Sequence, residues 1–99
     1  MSEVWCVLTE IDVPRDTTDS GESVVGFTNW ITKAEDGPNA LRKVQRAISS
    51  YGWMLLDHET PYVITLENCA DEELAELISR AEGSAEYVLY GTVHTYKPS

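Results

Sequence analysis

The spacing of apolar residues along this chain changes from every second residue to every third or fourth at Asp36, returns, and changes again at Asp71. A period of two is typical of strands, and a stripe at i, i+3, i+4 and i+7 is typical of an amphipathic helix. The stripes predict helices at about Pro38–Ser50 and Asp71–Ala81. The alternating segments predict four or five strands, which are Val4–Ile11, Val24–Lys33, Trp53–His58, the short Tyr62–Leu66 and Tyr87–Tyr96.

The predicted order of elements, β-β-α-β-(β)-α-β, limits the fold. Each helix has one apolar face to bury, and the strands supply a sheet against which to bury it. We therefore predict an α+β fold in which two helices pack on one face of a mainly antiparallel sheet of four or five strands, in a ferredoxin-like or split βαβ arrangement. The chain has 99 residues, which predicts a single domain spanning residues 1–99.

Local signals mark the ends of both helices. Pro38 suits a first helical turn, where its missing N–H costs nothing, and Gly52 suits the end of the same helix. Asp71 is the predicted N-cap of the second helix, and Gly83 its predicted end. The polar segment Asp12–Ser23 predicts a long loop between the first two strands.

Three strands carry apolar residues on both faces. If the helices cover one face of the sheet, then Leu8, Trp30 and Val88 lie on faces that the helices do not reach. An uncovered apolar face is typical of a protein interface. We therefore predict a homodimer formed through the sheet, or another cover for this face, and Trp30 is a candidate contact with a partner.

The charge of the chain restricts its partners. Seventeen acidic residues against seven basic ones give a formal net charge of −10 and a pI near 4.4. Such a surface repels nucleic-acid phosphates and anionic lipids and favours basic protein surfaces. Four of the bases lie close together in the sequence and predict a basic patch on an acidic body; they are Lys33, Arg42, Lys43 and Arg46.

The amino terminus lacks a basic leader followed by an apolar run, and no stretch is long and apolar enough for a membrane helix. We therefore expect a cytoplasmic protein. In that reducing compartment Cys6 and Cys69 are expected to be free thiols.

Residues with catalytic or metal-binding chemistry are few and poorly spaced. The soft metal ligands are Cys6, His58, Cys69 and His94, and none forms the close pair that a zinc site requires. Cys69 beside His58 or His94 is a weak candidate nucleophile, because neighbouring carboxylates disfavour a thiolate. No glycine-rich phosphate loop is present. We predict no catalytic residue, no metal and no cofactor, and a non-enzymatic role is favoured.

Two functions follow from these features. The favoured one is a small acidic interaction module, of the inhibitor, immunity or regulatory type, that docks on a basic partner. Its predicted contacts are Asp71, Glu72, Glu73, Glu76 and Trp30. The alternative is a small-molecule-binding or enzymatic domain with a site at a sheet-mediated dimer interface. The aromatic residues that line such a site, or else only pack the core, are Trp30, Trp53, Tyr62, Tyr90 and Tyr96.

Overall fold

The structure is a computed structural model that describes residues 3–14, 23–69, 71–83 and 87–96, without the side chains of residues 14, 23, 24, 95 and 96. Its elements are β1 (Glu3–Pro14), β2 (Ser23–Ala34), α1 (Gly37–Ser50), β3 (Met54–His58), β4 (Tyr62–Val63), α2 (Glu72–Glu82), β5 (Val88–Tyr90) and β6 (His94–Tyr96). The predicted α+β class, the two helices and the order of elements are confirmed. Within the predicted loop Asp12–Ser23, the two ends are strand and residues 15–22 lie outside the described residues.

β1 and β2 form the centre of the sheet. They pair antiparallel along their whole length, from Glu3 opposite Ala34 to Pro14 opposite Ser23. β3 and then β4 pair with the outer edge of β1, while β5 and then β6 pair with the outer edge of β2, and all of these pairings are antiparallel. β3 and β4 share one edge of the sheet, and β5 and β6 share the other. The six strands therefore occupy four positions, in the order β3-β1-β2-β5, with β4 beside β1 and β6 beside β2. β2 and β3 both run antiparallel to β1 and are therefore parallel to each other. α1 connects these two strands across β1, which is the split βαβ unit.

The interruption between β5 and β6 contains Gly91. Its backbone N–H still donates to the Asn29 carbonyl oxygen at 3.1 Å, so the chain stays against β2. A Cβ at this position would collide with the carboxylate of Glu73 on α2. Gly91 therefore marks a point of close packing against the acidic first turn of α2.

α1 begins at a side-chain cap and buries one apolar stripe. The Asp36 carboxylate accepts a hydrogen bond from the Asn39 backbone N–H at 2.8 Å, which satisfies one of the N–H groups that have no partner within the helix. Pro38 occupies the first turn, as predicted. The buried residues of the helix pack against β1 and β2; this core cluster contains Ala40, Val44 and Ile48 with Val7, Ile11, Trp30 and Ala34.

α1 ends in a Schellman motif. The Trp53 N–H donates to the Ile48 carbonyl and the Gly52 N–H to the Ser49 carbonyl, both at 3.0 Å. Gly52 has φ +77°, in the left-handed region where a Cβ is unfavourable. Gly52 is therefore the residue that turns the chain from α1 toward β3.

α2 packs on the other face of the sheet. Its core cluster contains Leu77, Ile78 and Ala81 with Val4, Cys6, Ile31 and Ile64. Cys6 pairs with Ile31, and the adjacent pair is Val7 with Trp30. Because successive residues of a strand point to opposite faces, the Cys6 and Val7 pairs face α2 and α1 respectively.

The expectation that the helices share a face is thus corrected. β1 and β2 are apolar on both faces, so each face requires its own cover, and each helix supplies one. The same arrangement removes most of the basis for a homodimer through the sheet. Trp30 and Val88 belong to the cluster under α1, which leaves Leu8 as the sequence argument for an uncovered face. The homodimer stays a prediction.

Candidate functional site

The acidic start of α2 contains four of the predicted partner contacts, and the structure divides them by role. Asp71, Glu72, Glu73 and Glu76 are all exposed. The Asp71 carboxylate accepts hydrogen bonds from the backbone N–H groups of Glu73 at 2.8 Å and Leu74 at 3.4 Å. Asp71 is therefore the N-cap that the sequence predicts, and it is used by the fold.

Glu73 is also used by the fold. Its carboxylate accepts from the Thr92 backbone N–H and, at 2.6 Å, from the Thr92 hydroxyl. These two bonds tie α2 to the segment between β5 and β6. Hydrogen bonds from the Thr92 side chain and backbone lower the pKa of Glu73 below that of an ordinary glutamate, because they stabilise its charged form.

Glu72 and Glu76 are the two carboxylates without such a role. They lie one turn apart on α2, and neither makes a hydrogen bond or ion pair with another described residue. A glutamate in the first turn complements the positive end of the helix dipole, which accounts for Glu72 but not for Glu76 in the second turn. We call Asp71, Glu72 and Glu76 the acidic surface.

The prediction that Trp30 contacts a partner is corrected. Its side chain is 0% exposed in the monomer, and α1 covers it. The indole N–H donates to the Thr9 hydroxyl at 2.9 Å, and this hydroxyl donates to the Thr28 carbonyl. Trp30 is a core residue whose one polar group is satisfied, because the face of β2 that it occupies is the face on which α1 packs.

Trp30 underlies an aromatic cluster made by Tyr51, Trp53 and Tyr90. The rings of Tyr51 and Trp53 stack with centroids 4.9 Å apart, and Tyr90 meets them edge-on at 5.7 and 5.3 Å. Tyr51 is 52% and Tyr90 36% exposed. At these separations the rings contact one another and form a packed aromatic cluster.

The aromatic residues predicted to line a ligand site therefore meet only in part. Trp30, Trp53 and Tyr90 come together, whereas Tyr62 pairs with Cys6 on the outer edge of β1. The side chain of Tyr96 lies outside the described residues. Sequence reasoning did not include Tyr51 among the aromatic residues of the candidate site. The sequence signal for the contact between Tyr51 and Trp53 is the Tyr51-Gly52-Trp53 segment, because the Schellman turn brings the two rings together.

Both cysteines are free thiols, as predicted. Cys6 is fully buried and its Sγ donates to the Asn29 side-chain oxygen at 3.5 Å. Burial raises the pKa of the Cys6 thiol, and a hydrogen bond with Cys6 raises the pKa of Tyr62 to about 12. The Cys69 Sγ donates to the Asp71 carbonyl oxygen at 3.2 Å. The raised pKa favours the protonated form of the Cys6 thiol, in which it is a poor nucleophile.

No three His, Cys, Asp or Glu side chains converge on one point within the described part of the chain. His58 ends β3 and its Nδ1 lies 3.2 Å from the Glu59 carbonyl oxygen, while His94 begins β6 beside Phe27.

Three of the four residues of the predicted basic patch, Arg42, Lys43 and Arg46, line a cleft, and Lys33 lies elsewhere, beside Glu3 and Glu82. The cleft lies between the end of β2 and α1, has a volume of about 330 Å³, and is lined by Ala34, Glu35, Asn39, Arg42, Lys43 and Arg46. The Lys43 ammonium donates to the Lys33 carbonyl oxygen at 2.6 Å. We call this the basic cleft. It lies on the face of the sheet opposite to α2.

Comparisons with protein-family models, with curated proteins and with solved structures find no match to this chain. Neither α1 nor α2 has the length and apolar character needed to cross a membrane.

Proposed function

We propose that this protein is a small acidic interaction module that docks on a basic protein, as an inhibitor, an immunity protein or a regulator does, and that it has no enzymatic activity of its own. The acidic surface at the start of α2 makes the contact. The alternative of a small-molecule site at a dimer interface has less support, since three of the aromatic residues expected to line it, Trp30, Trp53 and Tyr90, pack against each other and Tyr62 lies apart from them.

One observation carries the proposal. The fold needs a cap and a tether at the start of α2, and Asp71 and Glu73 provide them. Glu72 and Glu76 add two further carboxylates one turn apart, although like charges at this spacing destabilise a helix. A chain that already carries a net charge of −10 gains nothing in solubility from this pair. A basic partner would relieve the repulsion between the two carboxylates on binding.

The negative charge of the acidic surface also indicates the chemistry of the partner. Exposed carboxylates on an acidic body attract lysine and arginine side chains and increase the rate of encounter. The effect decreases with salt, because exposed charges more than about 10 Å apart are screened at 0.1 M. We also propose a cytoplasmic location, which the two free thiols support. Cell fractionation of the native host tests the location directly.

The test starts from a partner captured from the native host with the tagged full chain. Its association rate is then measured at low and high salt. For Glu72→Gln/Glu76→Gln we expect a low-salt rate about three- to tenfold below that of the wild type, with a weaker dependence on salt.

A matched control removes the same charge elsewhere. Asp57→Asn/Glu59→Gln changes two exposed acids at the end of β3, and its rate should fall much less. Equal effects of the two double variants would indicate general charge rather than this surface. A rate that responds neither to salt nor to Glu72→Gln/Glu76→Gln would contradict the proposal.

A further inference from the structure

The basic cleft concentrates positive charge in a molecule that has little of it. Among the described residues, three basic residues and one acidic residue, Glu35, line the cleft, in a chain with seven basic and 17 acidic residues. Arg42 and Arg46 lie four residues apart on α1, and Lys43 lies three before Arg46, so neighbouring side chains repel each other. A solvated helix face in so acidic a chain has carboxylates available to relieve this repulsion, yet Glu35 is the one carboxylate among the described residues that line the cleft.

The two guanidinium groups have no partner within the described part of the chain. Neither Arg42 nor Arg46 makes a hydrogen bond or ion pair with a described residue. A guanidinium is a planar fork of N–H donors that matches two oxygens of a phosphoryl group. Two such forks one turn apart on α1, with Asn39 on the same wall, place several N–H donors along one side of the cleft.

The third cation is held in position. The hydrogen bond from the Lys43 ammonium to the Lys33 carbonyl oxygen, at 2.6 Å, fixes this charge against the end of β2. The positive charge of the cleft is therefore partly preorganised, and an anion that enters does not have to order all three side chains.

We propose that the basic cleft binds a phosphoryl dianion. Arg42 and Arg46 are its charged contacts, Lys43 adds a fixed positive charge, and Glu35 opposes binding. A cleft of about 330 Å³ is the size of a small phosphorylated group. Long polyanions are excluded by the net charge of −10, which repels each additional phosphate outside the cleft. The source is a phosphorylated small molecule or a phosphorylated side chain of a peptide.

This site is independent of the proposed interaction function. The basic cleft lies beside α1 and the acidic surface on α2, and the two helices pack on opposite faces of the sheet. Loss of one activity therefore does not imply loss of the other, and the two proposals fail separately.

The experiment is an NMR titration of the ¹⁵N-labelled full chain with inorganic phosphate at constant ionic strength, with chloride as the reference anion. We expect saturable shifts of amide signals around Asn39–Arg46, at millimolar phosphate, that chloride does not produce. Arg42→Gln/Arg46→Gln should weaken binding at least about tenfold, as expected when two charge-assisted contacts are lost. These side chains are exposed, so the variant should fold, and its amide spectrum reports this.

Two further variants sharpen the outcome. Arg80→Gln removes one exposed positive charge from α2 and should leave phosphate binding unchanged. Glu35→Gln removes the opposing carboxylate and should tighten binding about two- to fivefold. Shifts that chloride reproduces, or binding that Arg42→Gln/Arg46→Gln leaves intact, would overturn the proposal.

A second titration distinguishes the two sources of the phosphoryl group, a small molecule and a peptide. A phosphoserine peptide and phosphoserine itself are compared with inorganic phosphate. Tighter binding of the peptide indicates a phosphorylated partner, and equal binding of the peptide and the amino acid indicates a small molecule. In both cases the Arg42→Gln/Arg46→Gln variant should bind the phosphorylated compound no more tightly than the same compound without its phosphoryl group.

Discussion

At the scale of single residues, adjacent carboxylates have different roles. Glu72 and Glu73 are neighbours in the first turn of α2, yet within the described part of the chain only Glu73 accepts side-chain hydrogen bonds, both from Thr92. Sequence reasoning grouped them, because helix position and charge are the same for both. The contact of Glu73 depends on Gly91, whose missing Cβ leaves room for the carboxylate beside β5.

The lowered pKa of Glu73 predicts a stability effect that depends on pH. The stabilisation is present above the pKa of an unfolded glutamate and is lost as pH falls through the lower folded value. Glu73→Gln should therefore unfold more easily than the wild type at neutral pH, and the difference should shrink below about pH 4.

Urea unfolding at several pH values between neutral and acid measures this effect. Glu72→Gln is the matched control, since it removes the same charge from the same turn without breaking a hydrogen bond to a described residue. A difference between wild type and Glu73→Gln that stays constant over the whole pH range would show that the carboxylate charge has no part in holding Thr92.

At the scale of elements, the end of α1 determines two contacts at once. The Schellman motif reverses the chain at Gly52 and places Trp53 against Tyr51. Glycine at the end of a predicted helix is a local signal for the end of that helix, and it can be recognised from the sequence alone. The stacking of the two rings over Trp30 is a tertiary consequence, because it also requires Tyr90 from β5.

We expect Gly52→Ala to lower the free energy of unfolding by about 1 kcal/mol. Nothing lies within 4 Å of a Cβ at this position, so the cost is that of the backbone at φ +77°. Gly83→Ala is the control, because Gly83 ends α2 at φ −75°; its Cβ would lie 3.3 Å from the Arg80 carbonyl oxygen, but without a left-handed backbone the loss should be smaller than for Gly52→Ala. Urea unfolding measures both variants, and equal losses would contradict the assignment.

At the scale of the whole molecule, charge opposes folding and favours association. A net charge of −10 on a compact chain produces self-repulsion that salt reduces. The opposite placement of α1 and α2 separates the basic cleft from the acidic surface. Each can therefore meet a partner of the opposite sign without competition from the other.

The self-repulsion predicts that the Tm rises as NaCl is increased from about 20 to 300 mM. Calorimetry measures this, and choline chloride should act equally, since the effect is one of screening. Phosphate buffer is avoided because of the proposed cleft. A Tm that falls with salt would mean that local charge contacts, such as that of Glu73 with Thr92, outweigh the overall repulsion.

The sequence by itself determined the class, the order of elements, and the ends of both helices. These depend on local rules, namely the period of apolar residues and the residues that cap a helix, which act over three or four positions. It also determined that Asp71 caps α2 and that Gly52 ends α1.

Only the tertiary structure decided which face each helix covers. β1 and β2 are apolar on both faces, so their alternation is compatible with either placement of each helix. The placement of the helices also determined the contacts and positions of the residues at both candidate sites. It buried Trp30 under α1, tied Glu73 to Thr92, and put the acidic surface and the basic cleft on opposite sides of the sheet, because contacts between residues distant in sequence depend on which face each element occupies.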